Sequence, residues 1–350
     1  MKNNLPSVSI IIPSLNEEKY VGKCLDSIIG QDYPRENLEV IVVDGMSEDG
    51  TRDIIEQYIR KYPFVRLLDN PKKITPCALN IGIKSAKGEI IAWLSAHNEY
   101  VKTHISKCVK YLKELNADAV GGVIKPVPKN SSFIGKTICA AISHPFGVGN
   151  SALKVESKDK TPHGADTAFG VCYRGKVFEK IGIFNEQLIR GQDMEFGLRL
   201  KRNGLKTLLA PEIISYYHVN SDLRSFIKHS FNDGVWAILP FKYTNIIPVS
   251  LRHLIPLVFV LGVLCAGILS IFSALFGWVF LFVIASYFTG SLYFSIKIAF
   301  KQKDARFIFA MPFIFAIFHF SYGLGSIWGL MKCFIIGKDR KSQAEKTKIN

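Results

Sequence analysis

No Asp, Glu, Lys or Arg occurs between residues 253 and 296 of this 350-residue chain, and none between 307 and 331. A helix needs about 20 apolar residues to cross the hydrocarbon of a bilayer, so the first run has room for two spans and the second for one. The N-terminus, MKNNLPSVSI, lacks the apolar stretch of a secretory signal. The residues ahead of the apolar runs are therefore expected on the cytoplasmic side. The seven cysteines include no CxxC pair, which argues against zinc and disulfide frameworks and suits reduced thiols. No GxGxxG follows the first strand-like segment and no GxxxxGK[ST] occurs, so a dinucleotide-binding Rossmann domain and a P-loop NTPase are both disfavoured. Internal repeats and low-complexity segments are also missing.

What is present is charge of one sign, placed unevenly. The net charge is +15, yet the cations gather beside the apolar runs: Lys297, Lys301, Lys303 and Arg306 between them, Lys338, Arg340 and Lys341 after them. That placement suits anionic lipid headgroups and retention of those loops in the cytoplasm. With no nucleic-acid module in sight, membrane lipids are the expected partner and nucleic acid is not.

Ahead of residue 125, short β-branched runs alternate with helical stretches. VSIII (8–12), LEVIVV (38–43), VRLLD (65–69), EIIAWL (89–94) and DAVGGVI (118–124) read as strands, with helical periodicity between them. This is the pattern of an α/β domain with a mostly parallel sheet. Residues 126–165 loosen into loop with one apolar helix. Order returns at TAFGVCYR (167–174) and at IRGQDMEFGLRLKRNG (189–204), a helix with acidic residues in its first turn and a glycine stop. The expected organisation is a sheet domain over 1–221 and an amphipathic interfacial segment over 222–252. A membrane region follows over 253–331, then a basic tail over 332–350. Two helices belong in 253–296, joined near Ser273–Gly277. Pro312, Gly323, Gly325 and Gly329 interrupt the third apolar segment, which is expected to be re-entrant or broken so that the tail stays inside. The alternative is a full third span.

In sheets of this kind ligands bind beyond the carboxyl ends of the strands. Polar residues collect there: Pro13-Ser14-Leu15-Asn16-Glu17, Asp44-Gly45-Met46-Ser47-Glu48-Asp49, and Ser95-Ala96-His97-Asn98. "VSIIIPSLNEEKYVGKCLDSI", "EVIVVDGMSEDGT" and "GQDMEFGLRLKRNG" together resemble glycosyltransferase family 2, the inverting enzymes with a GT-A nucleotide-sugar-binding fold. The likeness extends to the membrane-attached, succinoglycan ExoA-like exopolysaccharide transferases, and covers nearly the whole chain.

The resemblance implies a nucleotide-diphosphate sugar as donor and a lipid-linked or surface glycan as acceptor. By that likeness Pro13, Asn16, Glu17 and Asp44 lie on the nucleotide side. Asp193, second in the pair Gln192-Asp193, is the expected general base. Ser95-Ala96-His97 stands where the family has Asp-x-Asp, whose last residue binds a divalent cation. His97 is thus the candidate ligand for Mn²⁺ or Mg²⁺, or alternatively a cation replacing the metal. Ser95 keeps a hydrogen bond but loses a charge, and Gln192 likewise drops one carboxylate. His218, ending a strand-like run, is placed to reach the diphosphate. The Gln-x-x-Arg-Trp signature of processive synthases is missing, which favours transfer of one sugar over polymerisation. A non-catalytic nucleotide-sugar-binding partner remains the other reading of the Ser95 and Gln192 departures.

Overall fold

The computed structural model describes residues 5–149, 151, 153, 159–244 and 251–335. In chain order the first elements are β1 (Val8–Ser14), α1 (Val21–Ile29), β2 (Leu38–Asp44), α2 (Thr51–Lys61), β3 (Val65–Asp69) and α3 (Thr75–Ser85). Next come β4 (Ile90–Trp93), β5 (Asn98–Tyr100), α4 (His104–Glu114), β6 (Ala119–Pro128), α5 (Phe133–Ile142) and α6 (Pro145–Val148). β7 (His163–Gly164), β8 (Phe169–Arg174), α7 (Lys176–Ile181), α8 (Gln192–Arg202) and β9 (Thr207–Val219) follow. The last are α9 (Leu223–Ile238), α10 (Pro240–Tyr243), α11 (Ile255–Leu269), α12 (Ala274–Gln302) and α13 (Arg306–Ile335). They form two units. One joins Met1–Val127 to Asn150–Val219, and the other joins Pro128–Gly149 to Asn220–Asn350. The sequence pattern runs the first domain unbroken to residue 221 and gives no sign that 128–149 groups with the C-terminal helices.

In the sheet unit, β1 pairs in parallel with β2 and β4, and β2 with β3, through the crossover helices α1, α2 and α3. The strand order is β3-β2-β1-β4-β8-β6-β9-β5, with β7 on β9. Successive side chains of a strand face opposite ways, and here both faces are buried. Ile10, Ile12, Val40 and Val42 pack with Leu25, Ile28, Ile55, Ile105 and Leu112 on one side. Ile11, Ile41, Val43 and Ile91 pack with Leu79, Phe178, Phe196 and Leu200 on the other. Unbroken apolar runs, and not alternation, are what such doubly covered strands require. From β1 the chain steps outward to β2 and β3, then returns to lay β4 on the other side of β1. The order therefore reverses between β1 and β4, and in open sheets such a reversal is where ligands bind beyond the strand ends.

In the helix unit, Arg252–Leu269, Ala274–Gln302 and Arg306–Cys333 are long and apolar enough to cross a membrane. α11 and α12 meet at a turn over residues 270–273, as the sequence suggests, and α12 runs beyond residue 296 to Gln302. The third apolar segment departs from expectation. Instead of a re-entrant or broken hairpin it is one helix, Arg306–Ile335, with Pro312 inside it. Its glycines are not breaks but close-approach positions. A methyl at Gly325 would lie 2.0 Å from the Phe231 carbonyl oxygen of α9, and one at Gly234 of α9 would lie 1.9 Å from that of Tyr322. Ser326 Oγ donates to Gly234 O at 3.1 Å, fastening the same contact. Small residues let helix backbones meet where lipid supplies no hydrophobic drive. α9, expected as an interfacial segment, thus buries one face against α13. Residues 245–250 of that segment and 336–350 of the basic tail lie outside the described residues.

Candidate active site

Three groups of polar side chains line the carboxyl rim of the sheet. The first ties the β1–α1 loop to the β2–α2 loop. Asp44 closes β2 and is wholly buried, so its charge must be met by partners. Its carboxylate accepts from Ser47 N at 2.8 Å, Ser47 Oγ at 2.5 Å and Arg52 Nη1 at 3.0 Å. Arg52 also reaches Asp69 at 2.9 Å, at the end of β3. Asn16, in left-handed conformation at φ 54°, donates its N–H to Ser47 Oγ at 2.8 Å. It accepts from Glu48 N at 3.0 Å. Asp49 takes bonds from Thr51 and from Glu18 N, shaping the start of α2. Pro13 sits one residue from the end of β1, in register with Val43.

The second group spans the reversal point between β1 and β4. Tyr100 clasps the turn after β4: Ser95 N donates to its hydroxyl at 2.6 Å, and the hydroxyl donates back to Ser95 O at 3.3 Å. Beneath it His104 packs edge-on against Tyr100 and is bonded through Nε2 to Gly170 O at 2.7 Å. Burial drives the His104 imidazole down to about 4. His97 Nδ1 donates to Glu17 Oε1 at 2.9 Å, bridging the two loops, and its ring meets Tyr217 edge-on. This bond leaves Nε2 of the neutral ring with its lone pair. His218 Nε2 bonds Glu99 Oε1 at 2.7 Å and stacks on Tyr20 at 5.4 Å. Asn98, beside His97, is 1% exposed, and neither of its amide atoms has a hydrogen-bond partner.

The third group is the start of α8. Gly191 adopts φ 76°, a left-handed turn open to glycine, and so delivers Gln192 and Asp193 to the helix N-terminus. Asp193 lines a cleft with Trp93 at the end of β4, Tyr173, Asp166 and Thr207. Burial, followed by the Asp193 charge, pushes the Tyr173 phenol up. Gln192 is buried, with Oε1 unpartnered. Glu195 is held inside α8 by Arg199 at 2.7 Å.

The nine residues expected from sequence all fall on this rim but in separate groups. Asn16 joins Asp44, Glu17 joins His97, and His218 pairs with Glu99. Asp193 and Gln192 stand together at α8. Sequence reasoning missed Arg52 and Asn80. Asn80, buried in α3, donates to Phe184 O at 2.9 Å and to Glu186 at 3.1 Å, and accepts from Phe184 N at 2.9 Å. It thereby fixes the loop that leads to α8. An amide among the apolar residues of TPCALNIGIKSA was the available signal. Among the described residues no three His, Cys, Asp or Glu side chains group as a metal cluster. Of these side chains His97, through Nε2, could hold a cation.

Residues 9–182 match the model for glycosyl transferase family 2, and residues 167–327 that for glycosyl transferase family group 2. A Methanococcus voltae protein is 32% identical over 339 residues, which is 93% of this chain and 97% of that protein. It is named dolichyl N-acetyl-alpha-D-glucosaminyl phosphate 3-beta-D-2,3-diacetamido-2,3-dideoxy-beta-D-glucuronosyltransferase. Succinoglycan biosynthesis protein ExoA of Rhizobium meliloti is 24% identical, over 74% of this chain and 81% of its own. The likeness to ExoA is thus one among several within the family. Mannosyltransferase PcManGT from Pyrobaculum calidifontis, solved with GDP-Man and Mn²⁺, shares the fold at a TM-score of 0.62 and 18% identity, covering 93% of this chain and 88% of that one. Matched along almost the whole of a named relative, the chain belongs to glycosyltransferase family 2: it is a glycosyltransferase with the GT-A fold, carrying long apolar helices at its C-terminal end.

Proposed function

We propose that the protein moves a single sugar, with inversion, from a nucleotide-diphosphate donor to a lipid-linked or surface-polysaccharide acceptor. The observation that carries this reading is the match to the Methanococcus voltae transferase, which runs through the apolar helices and whose name specifies a dolichyl-linked sugar phosphate. ExoA supports the surface-polysaccharide alternative. The helices would hold the protein in the cell membrane, with the sheet unit on the cytoplasmic side.

In this reading the laced loops around Asn16 and Asp44 receive the nucleotide, with Pro13 one residue from the end of the strand beneath. Asp193 takes the proton from the acceptor hydroxyl. Its place in the first turn of α8 sets the carboxylate beside the helix N-terminus. Gln192, Ser95 and His218 serve the substrates as hydrogen-bonding groups. A divalent cation, supported by the Mn²⁺ of PcManGT, would supply charge neutralisation to the departing diphosphate. Here His97 would hold it, with Glu17 fixing the ring.

The test is transfer by the full-length protein in nanodiscs, with UDP- and GDP-sugars and a prenyl-linked acceptor, read by mass. A product one sugar longer is expected, and activity should fall at least tenfold in EDTA and recover better with Mn²⁺ than Mg²⁺. A ladder of products would overturn single transfer. Donor binding with no turnover would favour the non-catalytic partner that the Ser95 and Gln192 departures allow.

A further inference from the structure

One end of the helix unit concentrates cations. Lys136, Lys297, Lys301, Lys303 and Arg306 gather about the end of α12, the start of α13 and α5, against Asp304, which is engaged by Arg306 at 2.7 Å. Within this collar one histidine is placed differently from the rest. His144 opens α6, and its Nδ1 accepts the Phe146 N–H at 3.1 Å. That bond fixes the neutral ring with its hydrogen on Nε2. Burial, then the charges of Lys297 and Lys301, hold the imidazole below its ordinary range, so it stays neutral. The ring lies 5.0 Å from that of Phe294 on α12. Phe294, Lys297 and Lys301 stand at i, i+3 and i+7, one stripe of the helix, so the stripe that meets His144 also carries both ammonium groups. Lys297 sits 4.4 Å over the Tyr293 ring, at the depth where the charge-free run of α12 ends and interfacial aromatics belong.

We infer that His144, Lys297 and Lys301 form a binding site for the phosphate of a membrane-anchored lipid, and that this lipid is the carrier of the acceptor. The set offers one neutral N–H donor and two ammonium donors, matched to a group whose oxygens only accept. Its position at the end of an apolar span selects a phosphate attached to a lipid chain. The carrier assignment rests on the lipid-linked acceptor proposed above.

The probe is farnesyl phosphate, titrated by calorimetry against the full-length protein in phosphatidylcholine nanodiscs. Lys297→Gln with Lys301→Gln should weaken binding about 10- to 100-fold, while Lys297→Arg with Lys301→Arg keeps it. His144→Gln, whose amide can replace the Nε2 donor, should stay within about threefold, and His144→Phe should lose about tenfold. Equal binding by wild type and the double Gln variant overturns the site. Phosphatidylglycerol should fail to compete at equal mole fraction; full competition overturns the carrier assignment in favour of ordinary headgroups. Nucleotide-sugar titration of the same samples keeps the two readings apart. Wild type that binds farnesyl phosphate but no nucleotide-sugar would sink the transfer reading and leave the phosphate site standing.

Discussion

The two halves of the sheet rim are built on opposite terms. Around β1 and β2 the buried Asp44 carboxylate has three donors, and the loops are stitched to each other through Ser47, Asn16 and Asp49. Around β4 and α8, the Asn98 amide and Gln192 Oε1 are buried without partners. An unmet buried polar group costs about 1–3 kcal/mol, and the second half carries more of that cost than the first, where Ser14 Oγ and Asn70 Oδ1 are also unpartnered. The difference teaches where rigidity serves and where it does not. On the function proposed above, the nucleotide loop is set before the ligand arrives, whereas the Asn98 and Gln192 side chains keep hydrogen-bonding capacity for the substrates.

Substitutions should separate the halves, starting with the largest effect. Asp193→Asn, on the β4 and α8 half, should lower transfer by about 10²–10⁴-fold with donor affinity nearly intact, the range for a general base. Retention of more than a tenth of wild-type transfer would remove Asp193 from that role. Next comes acid. His104 titrates at about 4 in the folded protein, against about 6.5 unfolded. Between those values the unfolded chain binds the proton and the folded one does not. The stability is therefore complete above pH 6.5 and lost as pH falls towards 4, by about 3 kcal/mol in all. Urea unfolding across that window measures it, and His104→Gln should flatten the slope; an unchanged slope would refute the assignment.

Asp44→Ala, on the stitched half, should weaken donor binding by about 1.5–3 kcal/mol and destabilise the fold as well, because Ser47 loses its acceptor and Arg52 one of its two. Calorimetry and urea unfolding read the two effects, and loss of binding with full stability would show that the carboxylate acts on the ligand alone. The smallest effect has the opposite sign. Asn98→Leu should raise stability by about 1 kcal/mol, since it removes a buried amide that nothing satisfies. A loss of stability would erase the contrast between the halves.

Much of the sheet unit was legible because its signals are local. β-branched runs such as LEVIVV declare doubly covered strands, and Gly191 ahead of two polar residues declares the start of α8. The rim loops announced themselves for the same reason. What stayed hidden depends on pairing across the chain. Nothing near residue 52 says that its guanidinium joins Asp44 to Asp69, and nothing near residue 17 says that its carboxylate holds His97. The third apolar segment misled for a related reason: a glycine reads as a break until the backbone that fills its missing side chain is known, and here that backbone belongs to α9.

That glycine contact has a consequence in temperature. Backbones meeting at Gly234 and Gly325 gain from dispersion and from C–H···O attraction, neither of which draws on the ordering of water. The Ile and Val core of the sheet unit does draw on it, and its driving force fades on cooling. Chilled towards freezing, the sheet unit should soften while α9 and α13 keep their grip.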